Sequence, residues 1–319
     1  MSERDHQSGE LKALYQGDFA EAYRLYGDLL ERRPDSVEAQ VGFYAAGYWR
    51  NRLEQEQLPR SGRALAAYLM EHWEAFEVIA DERGYPGTEA FAAAMKAVLG
   101  LAAENLRHAF QEEGTSGVDL ELLKQLGICL VRTEDYQNAA EVLNYARKKN
   151  DSDAFLMFLL AECYCHLGAG YLDRGLSLYR DTCFTDHQAI DPVYITSEPA
   201  APLLERLYRE HDNNVQAALD WFGAWMQLRS LRATLRQLHP REIEYLNSEI
   251  RRLTRDLDTV IDKYKDRVRA RLCFYHLALF HYYRYQEISR EEARNHEAAL
   301  EALSPELYAA LKEGPGNKR

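Results

Sequence analysis

The chain has 319 residues, of which 46% are hydrophobic, and its formal net charge at pH 7 is −12. This composition supplies enough apolar sequence for a packed core, and the acidic balance argues against general binding to nucleic acid. Five cysteines do not indicate a disulfide framework, and we find neither an N-terminal signal sequence nor an apolar run of 18 residues, so the sequence predicts no membrane span and a cytoplasmic location.

The N-terminal segment reads as a helix preceded by a tight turn and closed by a proline. Its turn, apolar and closing positions are Gly17, Phe19, Ala22, Tyr26 and Pro34. Residues 37–49 predict the next helix. Further along, Thr88 and Glu89 follow Pro86-Gly87 and begin an Ala-rich helix that ends near Gly114, and Asp119 is an N-cap for the helix after it.

The most regular segment is the 34-residue stretch 120–153, which predicts two short helices joined by a turn. Large and small residues alternate there at fixed spacings, at Leu123, Leu126, Gly127, Leu130, Tyr136, Ala139, Leu143 and Ala146. Small residues at such positions allow two helices to cross closely, and large residues fill the gaps beside them. A second unit follows in register, with an insertion of about two residues near Gly168, at Met157, Leu160, Ala161, Tyr164, Gly175 and Tyr179.

These positions resemble the tetratricopeptide repeat (TPR) family, most closely over Leu120–Asp153 and in part over 10–50 and 154–187. Asp151 stands where the family usually has proline. The resemblance implies an all-α solenoid of antiparallel helical hairpins. In this family partners usually bind the concave face lined by the first helix of each repeat. The corresponding residues here are Glu121, Lys124, Gln125, Ile128, Arg132, Phe155, Phe158, Glu162 and His166.

The same face departs from the members of the family that clamp a terminal carboxylate. Lys124 matches the lysine of that clamp, but Ile128 and Leu159 stand where asparagines are expected. Chaperone cofactor is therefore a poor interpretation. The apolar residues Phe155 and Phe158 predict either an open apolar groove or a groove filled by the protein's own C-terminal helices, and the segment 271–288 is the expected filler.

The long non-helical stretch 185–202 divides the chain in this interpretation. We expect a TPR-like region at 1–187, a joint with a short helix at 188–211, a C-terminal helical hairpin region at 212–313 and a flexible tail at 314–319. Within the third part, Ser289 with Glu292 three residues later forms a capping-box pattern, and Pro305 begins the last helix.

Two heptad-spaced segments follow the joint, at 221–238 and 243–264, and His239-Pro240 lies between them. They predict an antiparallel hairpin whose two seams satisfy each other, or a hairpin that projects and self-associates into a homo-oligomer. The second helix either continues past residue 264 or breaks near Asp262. The segment 271–288 is apolar nearly all round, which is typical of a buried central helix.

Positive charge is concentrated at 229–271, which holds twelve Lys and Arg against seven Asp and Glu. This basic face includes Arg229, Arg232, Arg236, Arg251, Arg252 and Arg255. It predicts either a solvated helix surface that pairs with the acidic remainder of the protein or a site for an anionic partner, including nucleic acid.

Residues that could carry chemistry are few. On a helix, Cys163 and Cys165 point about 200° apart, so one metal ion does not easily reach both. His296 lies four residues after Glu292, and we interpret the two as a solvated pair on a surface helix. The sequence contains no phosphate loop, nucleophile elbow or zinc-binding motif, so we expect no catalytic residues, no metal and no cofactor.

The sequence thus predicts a non-enzymatic scaffold or adaptor that binds other proteins on its repeat faces and self-associates through the C-terminal hairpin. One narrower hypothesis is a structural component of a bacterial motility or secretion assembly, since the long joint and appended helical half are similar to those of spirochaetal flagellar scaffold proteins. Another is a binder of an anionic partner through 229–271.

Overall fold

The computed structural model describes residues 8–55, 57–113, 119–230 and 236–313. Over these ranges the chain forms fifteen α-helices and no strand, which confirms the all-α class. None of the described helices combines the length and the apolar character that crossing a membrane requires. The chain divides into two compact units, Met1–Ala146 and Arg147–Arg319. The joint expected at 188–211 therefore lies inside the second unit.

The described residues of the first unit form seven helices. They are α1 (Gly9–Tyr15), α2 (Phe19–Arg32), α3 (Val37–Leu53), α4 (Gly62–Glu82), α5 (Glu89–Glu113), α6 (Leu120–Arg132) and α7 (Tyr136–Arg147). Helix α2 packs on α3, α4 packs on α5, and α5 packs on α6. The cap expected at Asp119 is present, because its Oδ1 accepts hydrogen bonds from the backbone N–H groups of Glu121 at 2.8 Å and Leu122 at 3.3 Å.

Aromatic side chains fill the core of the first unit. Trp49 of α3 stacks on Trp73 of α4 with 6.2 Å between ring centroids, and Phe76 lies 5.3 Å from Trp73. At the crossing of α2 and α3, the ring of Tyr26 lies directly over Gly42, where any Cβ atom would overlap it. The absence of a side chain at Gly42 thus allows α2 and α3 to approach closely.

The described residues of the second unit form eight α-helices and, between α9 and α10, two single-turn 3₁₀ helices at His187–Ala189 and Pro192–Tyr194. The α-helices are α8 (Ala154–His166), α9 (Ala169–Asp186), α10 (Ala201–Glu210), α11 (Val215–Ser230), α12 (Pro240–Thr259), α13 (Asp262–Tyr285), α14 (Arg290–Leu303) and α15 (Pro305–Glu313). The last two begin where the Ser289 and Pro305 signals predict.

Helix α13 is the centre of this unit, as its composition predicts. It packs against α11, α12 and α14, and its residues from Leu272 to Phe280 are buried. The heptad-spaced helices do not form the expected hairpin in the part of the chain that the structure describes. Helix α11 ends at Ser230, and Leu246 and Leu253 of the α12 seam are buried where α12 packs on α13. The alternative break near Asp262 is confirmed. The expected tail at 314–319 lies outside the described residues.

Candidate functional site

Helix α6 carries the predicted partner-binding residues of the first unit. Its N-terminal Glu121 is exposed, and Lys124, Gln125 and Ile128 are half-buried. Arg132 is engaged within the unit, because its guanidinium forms an ion pair with Glu77 of α4. The outward residues of this helix are therefore Glu121, Lys124, Gln125 and Ile128.

The opposite side of α6 carries the spacing that resembles a repeat. Seven of the eight pattern positions over α6 and α7 are buried; the exception, Tyr136, is half-buried. At the crossing of the two helices, a Cβ atom on Gly127 would lie 2.5 Å from Cδ2 of Leu143, a side chain with no exposed area. The small residue at this position is thus required by the approach of the second helix.

The predicted binding face of α8 is covered within the second unit. Phe158 and Glu162 have no exposed surface, and Phe155 is half-buried. The ring of Tyr194 lies 5.8 Å from that of Phe155 and 6.5 Å from that of Phe158. An open apolar groove on α8 is therefore excluded at these residues. The predicted filler, 271–288, is also wrong, because the segment between α9 and α10 covers them.

Hydrogen bonds to Glu162 hold the segment between α9 and α10 against α8. The Oε2 atom of Glu162 accepts hydrogen bonds from the backbone N–H groups of Thr196 and Ser197, both at 3.0 Å, and its Oε1 accepts one from Ser197 Oγ at 2.7 Å. The hydroxyl of Tyr179 also donates to Oε1. His166 Nε2 lies 3.5 Å from Oε2.

These contacts keep Glu162 ionised although it is buried. Burial by itself raises the pKa of the carboxyl, but the hydrogen bonds from His166, Ser197, Tyr179 and Thr196 outweigh it and lower the pKa. Burial also raises the pKa of Tyr179 well above its usual value, so its phenol remains a donor. The cluster acts as a structural anchor, and it removes Glu162 and Phe158 from the surface that a partner could reach.

In the basic face predicted over 229–271, some arginine side chains contact other groups of the protein and others face solvent. Arg229 donates to the backbone oxygen of Pro199, and Arg236 pairs with Asp181 at 3.0 Å and Glu242 at 2.5 Å. Arg232 lies outside the described residues.

Helix α12 shows the same division. Arg252 pairs with Glu249 at 2.7 Å and with Asp256 at 2.9 Å. Arg236 thus pairs with one carboxylate outside 229–271, that of Asp181, whereas both partners of Arg252 lie within the basic stretch. Arg251 and Arg255 face solvent.

The pair of His276 on α13 and His296 on α14 was missed by the sequence interpretation. Their Nδ1 atoms lie 2.9 Å apart, and the ring of Tyr283 stacks on His296 with 5.6 Å between centroids. His296 is 8% exposed, so the interpretation as a solvated partner of Glu292 is wrong. A signal was present, because Ala293, His296 and Leu300 follow the spacing of one buried helical face.

The cysteines are all buried free thiols, and burial raises their pKa, to about 12 for Cys129, Cys165, Cys183 and Cys273. They pack as small apolar side chains. A search of the described residues finds no group of three or more His, Cys, Asp and Glu that could hold a metal ion.

Comparisons with family models, with curated proteins and with solved structures gave no match to this chain.

Proposed function

We propose that this protein is a scaffold or adaptor without enzymatic activity, built from TPR-like helical hairpins, which binds a helical or extended segment of another protein. The observation that carries the proposal is the crossing of α6 and α7, where Gly127 lies against Leu143 and five of the other six pattern positions are buried. A stack of such hairpins leaves a row of first-helix residues facing outward, and rows of this kind form extended binding surfaces.

The outward residues of α6 are the part of this surface that the packing leaves accessible. Ile128 offers an apolar contact, Gln125 offers both a donor and an acceptor, and Glu121 and Lys124 supply one charge of each sign. This mixture suits an amphipathic segment of a partner protein, whose apolar side would cover Ile128 and whose polar side would face the charges.

A second candidate rests on the exposed arginines of α12. Arg251 and Arg255 are separated by one helical turn and project from the same side of the helix. They would suit an acidic protein surface or another polyanion, and binding through them would weaken strongly as salt concentration rises.

One experiment distinguishes the two candidates in the full-length chain. Proteins retained from a lysate of the source cell by the immobilised protein would be identified by mass spectrometry. The strongest would then be purified and titrated against three baits: wild type, Lys124→Glu/Ile128→Asp, and Arg251→Glu/Arg255→Glu. Circular dichroism would check that each variant keeps its helix content.

The expected result is a loss of affinity of at least about tenfold, on the order of 1.4 kcal/mol, in the α6 variant alone. Loss in the α12 variant alone would move the function to the basic surface. Retention of no protein above background by the wild type would overturn the scaffold proposal.

A further inference from the structure

A cleft within the second unit has the composition of a binding site for a small molecule. Its volume is about 210 Å³, and helices α11, α12 and α13 supply its walls together with His187. The charged groups that line it are Asp220, Glu249, Arg252, Arg267 and Arg271, and its apolar wall includes Leu253 and Val268. Three guanidinium groups thus meet two carboxylates.

Arg271 forms no ion pair within the described residues, although Glu249 of the same cleft attracts it at longer range. Its Nε donates to the hydroxyl of Tyr275 at 2.8 Å, and its Nη1 donates to the backbone oxygen of Cys183 at 3.1 Å. Both acceptors are neutral, because burial raises the pKa of Tyr275 to about 12. Among the described residues, no carboxylate oxygen lies within 4.0 Å of this guanidinium.

The two carboxylates of the cleft are already engaged by other groups. Glu249 Oε2 pairs with Arg252 at 2.7 Å. Asp220 is almost completely buried, and its Oδ1 lies 3.6 Å from Arg267 and accepts a hydrogen bond from Gln216 at 3.2 Å. His187 Nε2 lies 3.7 Å from the same oxygen. Arg252 also pairs with Asp256 at 2.9 Å. Arg271 is therefore the guanidinium of this cleft that forms no ion pair within the described residues.

We propose that this cleft binds a small molecule with one oxyanion group, a phosphate or a carboxylate, which the planar guanidinium of Arg271 receives between the rim arginines Arg252 and Arg267. A part-buried guanidinium held in place by two neutral acceptors is oriented in advance for such a group, and arginine binds both kinds of oxyanion through paired N–H donors. The site goes beyond the proposed scaffold function, because it needs no protein partner.

The volume limits the ligand. Pockets for drug-sized molecules are usually about 300 to 1,000 Å³, so a cleft of about 210 Å³ suits an oxyanion on a compact organic fragment. Leu253 and Val268 would contact the apolar part of that fragment. Phenyl phosphate and benzoate are suitable probes for the two oxyanions, with inorganic phosphate as the probe that lacks the apolar part.

Binding of each probe to the full-length protein would be measured by calorimetry at constant ionic strength, up to about 10 mM, where a Kd near 1 mM is readily detected. We expect saturable binding of at least one probe by the wild type. Arg271→Lys keeps the charge but loses the paired donors and should weaken binding about tenfold. Arg241→Gln, on the exposed surface of α12 and outside the cleft, should bind as the wild type does.

Arg267→Gln provides an independent variant if Arg271→Lys unfolds, because the Arg267 side chain is 44% exposed. It should weaken binding several-fold, and preference for phenyl phosphate or for benzoate would identify the oxyanion. The proposal is overturned if no probe binds saturably, or if both cleft variants bind as tightly as Arg241→Gln. Neither outcome bears on the scaffold proposal, which is tested on α6.

Discussion

His276 and His296 join helices α13 and α14 through a contact of 2.9 Å between their Nδ1 atoms. Only one of the two nitrogens can donate the shared proton, so at least one ring must be neutral. Burial lowers the pKa of both residues to about 4. Burial also lowers the pKa of His281 on α13 to about 4, and repulsion by Arg180 and Arg284 adds to this effect. The folded protein therefore excludes protons that the unfolded chain accepts.

This exclusion predicts that the protein loses stability as pH falls from about 6.5 towards 4. In that window the unfolded histidines are protonated while the folded ones are not, so each costs on the order of 1.4 kcal/mol of unfolding free energy per pH unit. Above the window their contribution is complete, and below it no more is lost. Urea unfolding followed by circular dichroism between pH 7.5 and 4.5 measures the slope.

The matched variants for this prediction are His296→Asn and His108→Gln. The first removes one buried titrating ring, so the change of unfolding free energy with pH should become smaller by about 1.4 kcal/mol per pH unit. The second replaces an exposed histidine of α5 and should leave the slope unchanged. A slope in His296→Asn equal to that of the wild type would contradict the assignment.

Gly127→Ala and Gly100→Ala are predicted to change stability in opposite directions. Both glycines lie within helices, where alanine is intrinsically better by about 1 kcal/mol. A Cβ atom on Gly100 meets no other atom within 4 Å, so that variant should gain about this amount. On Gly127 the new atom would overlap the buried Leu143, and overpacking should cost about 1 to 3 kcal/mol.

Urea unfolding of the two variants beside the wild type tests the close crossing of α6 and α7. Equal stabilisation by both substitutions would mean that the two helices are farther apart than described, and it would remove the observation on which the scaffold proposal depends.

Glu162→Gln should loosen the segment that covers α8. The amide keeps one acceptor oxygen but places an N–H₂ group among donors, which leaves buried groups unsatisfied at a cost of about 1 to 3 kcal/mol. Ser197→Ala removes a single donor and should cost about 1 kcal/mol. Hydrogen exchange of the Thr196 and Ser197 amides, which donate to this carboxylate, should accelerate in both variants.

Glu198→Gln is the control for this series, because Glu198 is exposed beside the same segment. Its exchange rates and stability should match those of the wild type. Unchanged protection of Thr196 and Ser197 in Glu162→Gln would show that the anchor does not hold the segment in place.

Local chemistry explains which features could be predicted from the sequence. Asp119 caps α6 because the donors it satisfies are two and three residues away, and Gly127 follows a spacing fixed by helix geometry. The break between α12 and α13 at 260–261 contains neither glycine nor proline. The sequence could place it only as an alternative.

The missed features depend on contacts between distant residues. Glu162 accepts hydrogen bonds from the backbone N–H groups of Thr196 and Ser197, which lie 34 and 35 residues later in the chain. The sequence of a helix does not indicate such distant partners. In the same way, a heptad seam on α12 specifies that it packs against a helix without specifying which one. The tertiary packing of the unit determines that α12 packs against α13 and not against α11.

Alkylation of the five buried thiols can show which of the two units has opened. At neutral pH their raised pKa and burial leave almost no accessible thiolate, so alkylation requires the surrounding helices to separate first. Cys129 belongs to the first unit, and Cys163, Cys165, Cys183 and Cys273 belong to the second. In a brief alkylation pulse under mild denaturant, the mass of the intact chain would rise by one adduct or by four, and the count would tell which unit had opened.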